Sequence, residues 1–122
     1  MRKAVGLAVV AGLALGCGTA GGGTATGLKG LVKRGPIMPV CRTNVPCDEP
    51  ARGVKLVLSR SGKVVATATT NSKGWYRVLL RPGRYSVRTN RRGPERVAHP
   101  SAATVPSDRV KRRDFFLDTG IR

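Results

Sequence analysis

Aromatic residues are scarce, at 4% of 122 positions, with one Trp, two Tyr and two Phe. A core must therefore be built from Val, Leu, Ala and Thr methyls. Acidic residues are also few, six Asp+Glu against 23 Lys+Arg, a formal net charge of +17. With one His and six carboxylates, most acid–base and metal chemistry is short of parts. There is no Gly-x-Ser-x-Gly elbow, and Gly21-Gly22-Gly23 lacks the Lys and the following helix of a phosphate loop. No repeat of solenoid period and no second domain is visible. These shortages lead us to expect no enzyme activity, no cofactor and no metal. Hydrophobic residues nevertheless make up 40%, enough for one small core and against wholesale disorder. The 16 Gly and 8 Pro favour many turns over long helices.

The longest apolar run is also too short to span a membrane. Arg2 and Lys3 precede an unbroken Ala, Val, Leu and Gly run over Ala4–Leu15. As a helix it would rise about 18 Å, against a hydrocarbon core of roughly 30 Å. It fits the apolar region of a secretory signal peptide. The run ends Leu13-Ala14-Leu15-Gly16-Cys17, which resembles the bacterial lipobox, although Leu stands two places before the Cys rather than three. The resemblance implies a signal peptide over 1–16, a lipid on Cys17 and an anchor on the outer face of the cytoplasmic or another envelope membrane. Ordinary cleavage after Gly18-Thr19-Ala20, giving a soluble secreted protein, is the alternative. Residues 17–27, nearly all Gly, Thr and Ala after the Cys, read as a flexible tether. Loss of residues 1–16 removes Arg2 and Lys3 and leaves a formal charge of +15.

Either cleavage leaves Cys41 and Cys47 as the remaining cysteines. In an oxidising compartment they can pair, closing a short loop that chain-entropy arithmetic values at about 2 kcal/mol. A metal pair is the rival reading, but no His is near and no second Cys pair exists.

From Leu28 onward, short alternating runs separated by turn residues predict an all-β domain over 28–122. The strands read as Leu28–Arg34, Val54–Arg60, Lys63–Thr70, Trp75–Leu80, Arg84–Asn90, Arg96–Val105 and Arg109–Asp118. Val54, Leu56, Leu58, Val64, Ala66, Ala68, Tyr76, Val78, Leu80, Tyr85 and Val87 are the inward positions. Ser61-Gly62 predicts a hairpin turn, Asn71–Gly74 a second turn, and Pro82-Gly83 a third. The Pro-interrupted Arg96–Val105 segment reads as an edge strand, and its Arg and Pro oppose pairing with another chain, so a monomer is expected. About seven strands at this spacing suggest an antiparallel β-sandwich.

Thr69-Thr70-Asn71-Ser72-Lys73-Gly74-Trp75-Tyr76 followed by Pro82-Gly83-Arg84-Tyr85 resembles the carboxypeptidase regulatory-like domain. That family has the prealbumin-like (transthyretin-like) β-sandwich fold. The resemblance implies that Tyr76 plugs the core and Tyr85 packs beside it. Gly35-Pro36-Ile37-Met38-Pro39-Val40-Cys41 with Cys47, and the ending Phe116–Arg122, look like secreted bacterial members. Such domains are appended modules without peptidase chemistry, serving as folding, spacing or surface-interaction units.

His99, between Ala98 and Pro100, reads as a loop or edge residue. Asp48-Glu49 read as solvated, and Asp114 and Asp118 as ion-paired with Lys111, Arg112 and Arg113. The cations fall into three groups: Arg77, Arg81, Arg84 and Arg88; Arg91, Arg92 and Arg96; Arg109, Lys111, Arg112 and Arg113. If Trp75–Leu80 and Arg84–Asn90 pair as a hairpin, the first group makes a cross-strand basic face, tolerable mainly beside an anionic partner. Lipid head groups, anionic cell-wall polymer, acidic polysaccharide or an acidic protein are candidate partners. A merely solubilising surface is the other reading, and the 16 Arg to 7 Lys fit it. Nucleic acid is disfavoured by export and by a lone Trp75 that offers no stacking platform.

Overall fold

The structure, a computed structural model, describes residues 24–121. The leader, Cys17, most of the tether and Arg122 lie outside the described residues. The expected β class is found. Among the described residues nine strands run in chain order: β1 Gly27–Gly35, β2 Glu49–Pro50, β3 Lys55–Arg60, β4 Lys63–Thr69, β5 Trp75–Leu79, β6 Gly83–Thr89, β7 Val97–Val105, β8 Val110–Arg112 and β9 Phe115–Asp118. A 3₁₀ turn, Gly93–Arg96, precedes β7.

The expected seven antiparallel strands are corrected to nine in a mixed, open, curled sheet. Its hydrogen-bonded path is β2-β1-β9-β7-β6-β3-β4, with β5 and β8 also on β1. Strand β1 changes partners half-way. Gly27–Leu31 pairs antiparallel with β5, and Gly27–Lys29 pairs parallel with β8. Val32–Gly35 then pairs parallel with β9, and Lys33–Arg34 antiparallel with β2. The single C-terminal strand read from the sequence is split because Asp114 leaves the ladder. Its Oδ1 accepts from the Leu31 N–H at 2.9 Å, while the Arg113 N–H donates to the Lys29 carbonyl at 2.8 Å. Gly30 lets this kink approach: a Cβ there would lie 2.4 Å from the Arg113 carbonyl oxygen.

Two further expectations are corrected. Strand β7 is interior, not an edge, lying between β6 and β9. Pro100, which has no N–H to give a ladder, falls in the irregular stretch of β7 between its two pairings with β6, at Val97 and at Ala102–Val105. Ala98 and His99 pair with β9, Ala102–Val105 pair with β6, and the register shifts between Ser86 and Arg88. His99 is therefore a strand residue opposite Phe116. Second, β5 and β6 form no hairpin. Pro82-Gly83 turns the chain, but β5 joins β1 and β6 joins β3 and β7.

The turns themselves follow the sequence. Ser61 and Gly62 both take positive φ (52° and 79°) between the paired residues Arg60 and Lys63, which matches the twist of a two-residue hairpin. Asn71 Oδ1 accepts from the N–H groups of Lys73 and Trp75, each at 2.9 Å. Gly74, at φ 83°, gives its carbonyl to the Val32 N–H at 2.8 Å. A Cβ at Gly74 would stand 2.7 Å from the Val32 carbonyl oxygen.

One core serves the whole sheet. It joins Leu28 and Val32 of β1, Leu56 and Leu58 of β3, Tyr76 and Val78 of β5, Tyr85 and Val87 of β6, and Phe115 and Leu117 of β9. Ala68 is buried and Ala66 packs against the core, but Val64 is 54% exposed rather than inward. A register shift after Leu58 sits between it and the core-facing alternation. Tyr76 is buried, and its ring meets Phe115, with centroids 5.7 Å apart, rather than Tyr85. Tyr85 shares the core but carries the Arg60 guanidinium over its ring at 5.6 Å. Cys41 and Cys47 form a disulfide with Cα atoms 5.5 Å apart, in the loop between β1 and β2.

Candidate functional site

Period-two alternation sends Lys29, Leu31 and Lys33 of β1 away from the core while Leu28 and Val32 point into it. It does the same for Trp75, Arg77 and Leu79 of β5, between buried Tyr76 and Val78. Register then lines these residues up across strands. Arg77 lies opposite Lys29, Trp75 opposite Leu31 and Leu79 opposite Gly27. On the other side, Arg112 lies opposite Lys29 and Phe116 opposite Lys33, with His99 beyond Phe116.

The outcome is one outward face on which basic and apolar rows alternate. A row of Arg77, Lys29 and Arg112 crosses three strands, directly beside Trp75 and Leu31. The apolar side chains are well exposed, Leu79 at 61%, Trp75 at 41% and Phe116 at 39%. The Arg112 guanidinium lies 5.1 Å over the Trp75 ring, a cation–π distance. Lys29, Trp75, Arg77 and Arg112 line a shallow groove floored by Gly30 and Tyr76. A second depression holds His99 beside Leu31, Lys33 and Phe116.

Carboxylates temper part of this charge. Arg112 binds Asp114 through Nε and Nη2, at 3.1 and 3.0 Å, and Lys33 faces Asp48 at 3.7 Å. Among the described residues, Arg77 and Lys29 have no side-chain hydrogen bond or ion pair. The Arg112 bond holds the Asp114 carboxyl below its usual range, helped by the Leu31 N–H against some desolvation. A carboxyl with a lowered folded-state pKa adds stability above its unfolded pKa and loses it as pH falls through the folded value. The thermal midpoint is thus expected to fall as pH drops below about 4, and Asp114→Asn to flatten that fall. A pH series of melting curves on both chains checks this. Burial pushes the Tyr76 phenol above its usual value, with Asp114 adding to the shift. It stays protonated and donates to the Arg113 carbonyl at 2.5 Å.

The cations grouped along the sequence are dispersed in space. Arg77 and Arg112 belong to the face just described. Lys111 lies opposite buried Leu28 and is half-buried. Arg113 is half-buried too, and its Nε is buried without a hydrogen-bond partner. Three strands intervene between Arg77 on β5 and Arg84 and Arg88 on β6, so the expected cross-strand group is not one surface. Arg84 stands opposite Thr104. Arg88 stands opposite Val57 and lies 3.4 Å from the Ser59 hydroxyl. Arg81 is exposed before Pro82, its carbonyl accepting from the Tyr85 hydroxyl at 2.6 Å. Arg91 is spent on the fold: it holds the Arg52 carbonyl at 3.1 Å and faces Glu95 at 3.7 Å. Arg34 joins the same cluster, binding Glu95 at 3.1 Å and Glu49 at 2.5 Å. Arg92 is exposed at the entry to the 3₁₀ turn, and Arg109 pairs with neighbouring Asp108 at 2.9 Å.

Nothing in the sequence alone groups Lys29, Lys33, Trp75, Leu79 and Phe116 into one surface. The alternation in Lys29–Lys33 and Trp75–Leu79 was a usable signal, but it needed the β1–β5 pairing to become a surface. Among the described residues, no three His, Cys, Asp or Glu side chains come together as a metal-binding group, and no helix is long and apolar enough to cross a membrane. No family model and no curated protein matches the chain.

Proposed function

We propose that this chain is an exported, non-catalytic β module with a structural or interaction role at the bacterial cell envelope, held to the membrane by lipid on Cys17. The observation that carries the reading is the order along the chain. A basic start, an apolar run of signal-peptide length, Cys17 and a Gly/Thr/Ala stretch precede a domain whose core residues all fall between Leu28 and Leu117. The end of that stretch already belongs to the fold, Thr26 bonding Leu80 and Gly27 opening β1, and the composition of the residues before it suits a spacer. The finer fold reading, a prealbumin-like two-layer sandwich of the carboxypeptidase regulatory-like kind, rests on Gly74-x-Tyr76 and Pro82-Gly83-x-Tyr85. The shared core of β1 and β5 with β3 and β6 is compatible with it. The Cys41–Cys47 disulfide suits an oxidising compartment.

A second reading is favoured by the Arg77–Lys29–Arg112 row: a binding module for anionic envelope polymer, polysaccharide or lipid head groups. Like charges in adjacent strand positions repel, and an anionic partner relieves that repulsion.

Feeding cells a palmitate analogue tests the anchor. The wild-type chain takes up the label and sediments with membranes. Cys17→Ala abolishes both. Unchanged labelling and sedimentation in Cys17→Ala would show that Cys17 is not the anchor, and a wild-type chain that takes up no label and stays out of the membrane fraction would leave secretion in soluble form.

A further inference from the structure

We infer that the outward face of β5, β1 and the β8–β9 segment docks flat onto an anionic phospholipid bilayer. Three observations select a bilayer over other anionic partners. Basic and apolar side chains share the surface: Lys29, Arg77 and Arg112 alternate with Trp75, Leu79 and Phe116. A hydrated polyanion takes the cations but gains nothing from a Leu at 61% exposure. A bilayer interface takes both, phosphates meeting Lys and Arg while Trp and aliphatic groups sit at the headgroup–acyl boundary.

The groups are also held in position. Backbone pairing fixes Arg77, Lys29 and Arg112 in one row, and Arg112 is braced by Asp114 and the Trp75 ring. Backbone freedom is therefore already spent, and docking orders only the Lys29 and Arg77 side chains, less than a flexible polybasic tail must order.

Finally, the chain enters this face directly from the tether. Gly27 begins β1 and lies opposite Leu79, so a short spacer from Cys17 delivers this edge of the domain to the membrane. A tether of that length keeps the effective concentration of the surface high. The inference rests on the anchored reading for the encounter alone, not for the surface itself.

Trp75 is the only Trp in the chain, so its fluorescence reports on this face and no other. The full chain is mixed with vesicles of phosphatidylglycerol and phosphatidylcholine, with bromine on the phosphatidylglycerol acyl chains. The expected result is a blue shift of the Trp75 emission and quenching by the brominated lipid, both weakened by added salt. Lys29→Gln/Arg77→Gln, two exposed and unpaired positions, lowers the partition coefficient about 25-fold, at roughly fivefold per charge.

Three outcomes overturn the inference. A chain that sediments with vesicles while Trp75 stays unshifted and unquenched is held by its N-terminal segment alone. Equal quenching with pure, brominated phosphatidylcholine vesicles removes the charge term. A Trp75 shift with soluble polyphosphate, without quenching by vesicles, makes the partner a polymer. Failure of the anchor is read separately, by loss of palmitate labelling in the wild-type chain.

Discussion

Replacing Thr70 with Val lowers the unfolding free energy by about 2–4 kcal/mol, although the two side chains have nearly the same shape. Thr70 is buried, and its hydroxyl serves two backbone groups at once. It donates to the Ala51 carbonyl at 2.5 Å and accepts from the Val54 N–H at 2.9 Å. Its own backbone reinforces the clasp, the Thr70 N–H donating to the Val54 carbonyl and its carbonyl accepting from the Gly53 N–H. Ala51 and Val54 are fully buried, so water cannot replace the lost hydroxyl. Each orphaned group costs about 1–3 kcal/mol, well beyond the net worth of an ordinary exchanged hydrogen bond. Thr70→Ser, which keeps the hydroxyl, is expected to lose less than half as much. Urea titrations measure both: the midpoint should move and the slope should not. A Thr70→Val loss under about 0.5 kcal/mol would show that this clasp contributes little.

Leu28→Ala should cost about 2–5 kcal/mol, while Leu79→Ala, on the neighbouring strand, should stay within about 0.5 kcal/mol. The contrast follows from the pleat. Leu28 is fully buried in the common core, opposite Val78. Leu79 is the next residue along β5 and points outward, at 61% exposure. Strand β1 carries the larger effect because β2, β5, β8 and β9 all pair with it, so a cavity there loosens the strand that holds four others. Equal losses for the two variants would mean that the face assigned to solvent is in truth part of the packing.

Side-chain direction was legible in the sequence because it is a local property. The alternation of Tyr76 and Val78 with Trp75, Arg77 and Leu79 depends only on a period of two, whereas β3 departs from it: Ser59, expected outward, is buried with Leu56, Val57 and Leu58. Turn chemistry was legible for the same reason: Ser61-Gly62 and Asn71–Gly74 determine their own backbone geometry. Strand partners were not legible, because pairing joins residues far apart in the chain. Trp75–Leu79 passes over its sequence neighbour and joins β1, while the C-terminal segment returns parallel to β1. That one non-local fact moved Arg77 away from Arg84 and Arg88 and placed it beside Lys29. Pro100 misled for a related reason. It excludes a ladder bond at one residue, and β7 meets that exclusion with an irregular stretch where its register with β6 shifts, instead of with a free edge. Val64 shows the limit of alternation itself, since a shift of register at Ser59 ended the pattern early.

The role assigned to the domain depends on where the cell delivers it and in what covalent form. Intact-mass spectrometry of the protein recovered from cells addresses that most directly. The account predicts a chain beginning at Cys17, carrying added acyl mass, and two hydrogens lighter for the Cys41–Cys47 bond. A protein recovered from the cytosol with Met1 attached and both thiols reduced would contradict it.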